Sequence, residues 1–164
     1  MKKVEIRFVR VSDAKRFYEM LNNPNFIYFA TKPKSVEAEK KWLKESSQKR
    51  KKKIEYNFTI LYDNQIAGGA GIKIGRRQNH IGELGYFVDE QFWSKGIATK
   101  TVKLLEKYSF QKLGLKRIEI RMYPKNKASV KVAIKAGYKK EGLLKKDFNA
   151  NGKLRDSYLY AKVI

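Results

Sequence analysis

The sequence predicts a single α/β domain, of the α+β kind, built on a mixed twisted sheet, and three observations carry that expectation. Strand-like and helix-like stretches interleave along all 164 residues, and 42% of the residues are apolar, enough for one real core. No Pro-rich linker, internal repeat or low-complexity tail divides residues 1–164 into a second unit. Composition also removes whole classes of chemistry. Cysteine is absent and His80 is the lone histidine, so a disulfide framework, a thiolate nucleophile and a Cys/His metal cluster are all excluded. No apolar run approaches the roughly 20 residues of a membrane span. The basic start leads into a strand rather than a signal segment, so a cytoplasmic location without a membrane partner is the default. Thirty-eight Lys and Arg against sixteen Asp and Glu give a net charge of +22. Such a surface attracts nucleic acid, ribosomes or phosphorylated ligands, although scattered lysines serve solubility equally well.

Taken in order, Val4, Ile6 and Phe8 open a first strand, and Ser12-Asp13 is placed to cap a helix carrying Phe17, Met20 and Leu21 on one face. The aromatic-rich segment 26–33 has no clear period. Ser35 is expected to cap a second helix through Trp42 and Leu43 that ends in Lys49, Arg50, Lys51, Lys52 and Lys53. That basic run suits phosphate contact, as with ribosomal RNA, and suits a solvated helix C-terminus as well. Residues 56–62 alternate as a strand, Asp63-Asn64 turns, and residues 66–74 return. Gly68, Gly69 and Gly71 in the returning strand imply a bulge or a close backbone approach. Residues 76–80 form a polar hairpin tip, which makes His80 a turn residue. Residues 117–122 read as a strand expected to run parallel beside residues 84–88, 126–136 as a short helix, and 138–148 with 154–163 as a hairpin closing at residues 149–152.

The most informative stretch is residues 83–105. Leu84, Tyr86 and Val88 alternate with Glu83, Gly85 and Phe87 as in a strand, while Ile97, Thr101, Leu104, Leu105 and Tyr108 recur at helical spacing. Between them, Trp93-Ser94-Lys95-Gly96-Ile97-Ala98-Thr99 turns a strand into a helix, which aims unpaired N–H groups and the positive end of the helix dipole at one spot. Neither a P-loop nor a dinucleotide fingerprint fits, because the required glycines are missing. The turn resembles the acyl-CoA pyrophosphate loop of the GNAT acetyltransferases, Q/R-x-x-G-x-G/A, with Trp93 in place of Gln or Arg and Ala98 at the sixth position. W-x-K-G-x-A-T, Pro124-Lys125-Asn126-Lys127-Ala128-Ser129, Lys135-Ala136-Gly137-Tyr138, Glu141-Gly142 and Asn151-Gly152 together resemble the RimJ/RimL-like branch of ribosomal-protein N-terminal acetyltransferases.

That resemblance implies a GNAT fold, with about seven strands splayed between the fourth and fifth and about four flanking helices. It implies acetyl-CoA as co-substrate, no metal, and N-acetylation of a primary amine by direct transfer, the acceptor being a protein N-terminus or a small-molecule amine. By resemblance, Ser94, Lys95, Gly96, Ile97, Ala98 and Thr99 cup the diphosphate. Tyr86, Phe87 and Val88 carry the pantetheine arm, with backbone groups of Phe87 and Val88 as its pairing partners, and Asn126 and Ser129 meet its far end. Tyr28 and Phe29 fall in the acceptor region, where they line a pocket or fill the core under a loop. The thiolate acid that many members carry seven residues after the Asn is vacant at Ala133, and Ser129 matches the branch's alternative. For the base, Glu83 ranks first, Glu119 second and Asp147 third, the last being one residue off the branch's acidic position at Phe148. A non-catalytic ribosome- or RNA-binding module is the competing class, and both monomer and homodimer fit the sequence.

Overall fold

The structure is a computed structural model that describes residues 3–29, 32–75 and 78–164. Strand β1 (Val4–Phe8) leads into helix α1 (Ala14–Leu21) and then α2 (Val36–Lys51). An antiparallel meander follows, β2 (Glu55–Tyr62), β3 (Gln65–Ile74) and β4 (Ile81–Val88). Helix α3 (Ile97–Gln111) crosses to β5 (Arg117–Met122), and α4 (Lys127–Lys135) precedes the hairpin of β6 (Lys139–Ala150) and β7 (Lys153–Val163). These seven strands form one sheet in the order β1-β2-β3-β4-β5-β7-β6, antiparallel throughout except between β4 and β5.

Local chemistry explains most of the elements. Ser35 caps α2 by accepting from the Ala38 amide at 3.1 Å. Asp63-Asn64 and Asn151-Gly152 both hold positive φ at their two central positions, the geometry whose twist suits a tight hairpin. Asp13 departs from expectation. It precedes α1, but its carboxylate turns back to accept from the Arg10 amide, Arg7 and the Thr59 hydroxyl, so it ties the helix start to the sheet and leaves α1 without a side-chain cap. Both readings of the β3 glycines hold. The β2–β3 register shifts between Ile60 and Leu61, and a Cβ on Gly68 or Gly69 would collide with the Phe87 carbonyl or ring.

The decisive departure lies between β4 and β5. The expected parallel partner of β5 was residues 84–88, yet pairing is confined to Ile81↔Arg117, Gly82↔Ile118 and Glu83↔Glu119. Beyond that point β4 stays with β3 as far as Val88, while β5 follows β7 as far as Met122↔Tyr158. Two halves of a twisted sheet thus separate and leave a wedge. The sheet is packed on both faces. Leu84 and Val88 join α3 residues Ile97, Val102 and Leu105 in the main core, and Phe87 packs with Phe17, Ala14 and Leu43 under α1 and α2.

Candidate active site

The loop leaving β4 gathers unpaired amides at the start of a helix. Ser94 and Gly96 adopt left-handed conformations, φ 61° and 73°, and α3 begins at Ile97 without any side-chain cap. Among the described residues, no amide from residues 94–99 donates to a protein group; the first that does is Lys100, to the Gly96 carbonyl at 3.1 Å. A Cβ placed on Gly96 would meet no atom within 4 Å, so Gly96 is required here by its positive φ rather than by crowding. Buried Ile97 anchors the helix, Ala98 and Thr99 are half-buried, and Ser94 and Lys95 are exposed. Unsatisfied N–H groups converging at the start of a fifteen-residue helix fit a diphosphate.

The edge of β4 facing the wedge supplies the second part. Gly75 N–H donates to Ile81, and Asp89 N–H to Ala67. In an antiparallel ladder alternate residues bond to one neighbour, so residues 81, 83, 85, 87 and 89 spend their backbone on β3. Those of residues 82, 84, 86 and 88 point toward β5. Where β5 has departed, Tyr86 and Val88 are therefore open to an extended ligand. Phe87 is not: its backbone faces β3, which does not fit the pairing role that resemblance implied for it, and its ring packs against Phe17 and Phe29. The Val88 carbonyl is already taken, accepting from Trp93 Nε1 at 2.7 Å.

Across the wedge, Asn126 caps α4, its Oδ1 accepting from the Ser129 amide at 3.1 Å. Its side-chain NH2 has no partner among the described residues and can donate to a ligand. Ser129 is half-buried beside Tyr86. Burial raises the Tyr86 pKa while the Ser129 hydroxyl opposes the rise. The approach falls short of a well-formed hydrogen bond, since the buried Tyr86 hydroxyl has no partner. Ala133 is fully buried and offers no acid.

On the α1/α2 face, a groove of about 380 Å³ runs over Gly69, Gly71 and Gly85 between Phe29, Trp42 and Phe87. Glu83 stands on its rim where β4 and β5 part, exposed, with Arg121 Nε 3.9 Å from its carboxylate. Arg121 also meets Glu119 at 3.4 Å and Asp147 at 3.2 Å, so one guanidinium gathers all three carboxylates singled out from the sequence. Glu119 is further bound by Arg117 at 2.8 Å, and Asp147 accepts from the Ser157 hydroxyl. Glu83 is the least restrained of the three. Asp147 reaches this cluster through a bulge, with a register shift between Leu144 and Phe148 and a left-handed Lys146, a feature invisible in a linear alignment.

Tyr28 is exposed and spans the wedge, donating to the Lys125 carbonyl at 3.1 Å with its ring 5.9 Å from Tyr123. Phe29 packs edge-on against Phe87 at 5.5 Å. Trp42 lines the groove, and Tyr123, tilted 57° against Phe148 at 4.6 Å, lies beyond it beside Tyr28; sequence reasoning missed both, because neither lies in a motif. The basic run divides. Lys49 pairs with Glu55 at 3.5 Å and Arg50 lies 3.9 Å over the Phe8 ring, while Lys51, Lys52 and Lys53 are exposed. His80 is an exposed turn residue whose carbonyl accepts from Lys116. Among the described residues no cluster of His, Cys, Asp and Glu could hold a metal, and no helix is long and apolar enough to cross a membrane.

Residues 3–139 match the model of the Acetyltransferase (GNAT) domain. The chain belongs to the GNAT family. This GNAT chain is 35% identical over 130 residues to the probable N-acetyltransferase YjcK of Bacillus subtilis, covering 77% of this chain and 72% of that one. Its fold is similar to the crystal structure of the ribosomal-protein-S5-alanine acetyltransferase of Vibrio fischeri, with a TM-score of 0.87, 26% identity, and coverage of 98% and 92%. It is similar also to the microcin C7 self-immunity acetyltransferase MccE, solved with acetyl-CoA and AMP, with a TM-score of 0.89, 25% identity, and coverage of 99% and 93%. Relatives of the RimJ/RimL type are among the proteins the chain is similar to, and it is a GNAT N-acetyltransferase using acetyl-CoA. The free loop amides and the open β4 edge fit that co-substrate.

Proposed function

We propose that this protein passes the acetyl group of acetyl-CoA directly to a primary amine within a ternary complex in the cytoplasm, and that the amine is a protein N-terminus. The wedge supports this reading best. It joins a loop of unpaired amides to a groove that carries the exposed Glu83 carboxylate on its rim. In the residues 94–99 loop the amides would hold the diphosphate; Tyr86, Val88 N–H and the Asn126 amide would orient the arm. The amine enters over Gly85, whose missing side chain leaves the floor open. Its nitrogen lone pair forms the C–N bond as the C–S electron pair leaves on sulfur. A wedge-facing backbone N–H steadies the developing oxyanion. The proton lost from nitrogen passes through water to Glu83, while Ser129 hydrogen-bonds the departing thiolate, which takes its proton from solvent. An α-amine, with an ordinary pKa near 8, is already partly neutral, so a weak carboxylate base is sufficient.

Two features support a protein acceptor. The groove is open at its rim, and Lys51, Lys52 and Lys53 offer a contact for a ribosomal polyanion. The aromatic walls and the likeness to MccE favour a small-molecule amine as the second reading. Saturating acetyl-CoA is expected to raise the thermal midpoint by several degrees, since a ligand at a hundred times its Kd adds about 2.7 kcal/mol. No shift would sink the proposal. Thiol release with N-terminal peptides set against amino sugars and polyamines then decides between the two acceptor classes.

A further inference from the structure

We infer that Trp93 is a positioning residue that fixes the diphosphate loop relative to the open edge of β4, so that both ends of CoA are met at once. The inference takes CoA as the ligand, as the proposed function does. Buried Phe92 and Ile97 fix the two ends of the loop, but between them few polar contacts hold it. Its amides have no protein acceptors, α3 has no side-chain cap, and Lys95 folds back locally onto the Gln91 carbonyl at 3.0 Å. Trp93, the residue entering the loop, instead donates its indole N–H to Val88, the last β4 residue with a wedge-facing carbonyl, at 2.7 Å. The ring lies 5.9 Å from Phe26, which in turn packs against Phe87 at 6.3 Å, so the indole is braced from a second side.

Core filling does not account for this tryptophan, which is 44% exposed. The chemistry that Trp shares with the Gln or Arg of the motif it departs from is a side-chain N–H donor. A donor at this point shuts the Val88 carbonyl to the ligand. It leaves the Tyr86 backbone and the Val88 N–H as the pairing groups, and it sets how far the loop stands from them.

The test uses the full chain and two probes measured by titration calorimetry: CoA, which reaches the loop, and pantetheine, which lacks the diphosphate and does not. Trp93→Phe keeps the ring and removes the donor. It is expected to weaken CoA binding roughly tenfold, the worth of one such hydrogen bond, while pantetheine changes less than twofold. Trp93→Gln restores a donor and is expected to recover most of the loss. CoA binding unchanged in Trp93→Phe, equal losses for both probes, or no recovery with Gln would each overturn the assignment. A wild-type chain that fails to bind CoA overturns the proposed function first, before any variant is made.

Discussion

Glu83 and Asn126 stand on opposite banks of the wedge, and their substitutions should separate chemistry from binding. Asn126→Ala removes the α4 cap, a loss of roughly 1 kcal/mol in stability, together with the side-chain NH2 proposed to donate to the cofactor arm. It is expected to weaken CoA binding about tenfold. Glu83→Gln is expected to leave CoA affinity within twofold and to lower turnover on the order of 100-fold. Steady-state rates unchanged in Glu83→Gln would remove that carboxylate from the mechanism. At this scale the legible residues were those whose role is local. Gly96 follows from a strand-to-helix turn of small residues, and Asn126 from a helix start. Asp147 and the Phe87 backbone were not legible in the same way. Where Asp147 points depends on a bulge in β6, and which edge Phe87 pairs with depends on its register with β3.

Among the elements, α2 shows what a buried face does to titration. Glu39, Leu43 and Ser46 recur at helical spacing and are all buried, and burial raises the Glu39 pKa above its ordinary 4.5. A carboxyl shifted this way favours the folded state below its unfolded pKa and loses that contribution as pH rises through the folded value. Glu39→Gln is therefore expected to raise the thermal midpoint at pH 7.5 and to gain little at pH 4, which melting curves at the two pH values will show. An equal gain at both would mean the carboxyl is not buried in its charged form. Asp13 behaves in the opposite sense. Burial opposes ionisation, but hydrogen bonds from Arg7, Thr59 and the Arg10 amide outweigh it and lower the pKa. Its contribution is present above pH 3.8 and lost on further acidification. Helix and strand order were readable from periodicity, and Ser35 from its capping chemistry. The short extent of β4–β5 pairing was not, since nothing in residues 84–88 records where a neighbouring strand turns away.

For the whole molecule, charge dominates. Thirteen ion pairs occur among the described residues, most of them partly exposed and so weakly stabilising. They leave the excess of +22 to repel itself. Raising NaCl from about 10 to about 150 mM shortens the screening length from roughly 30 to roughly 8 Å. The thermal midpoint of the ligand-free chain is expected to rise by a few degrees across that range. A falling midpoint would show that ion pairs such as Arg7–Asp13 outweigh the repulsion.

The gap between the two halves of the sheet also bears on how the protein keeps to itself. The Tyr86 backbone and the Val88 N–H present an extended edge to which a stray peptide, or another molecule's strand, could zip regardless of sequence. On the proposed reading, the acetyl donor would lie along that border as a detachable eighth strand. Each departure of spent coenzyme would then reopen the seam, and a fresh donor would close it against intruders.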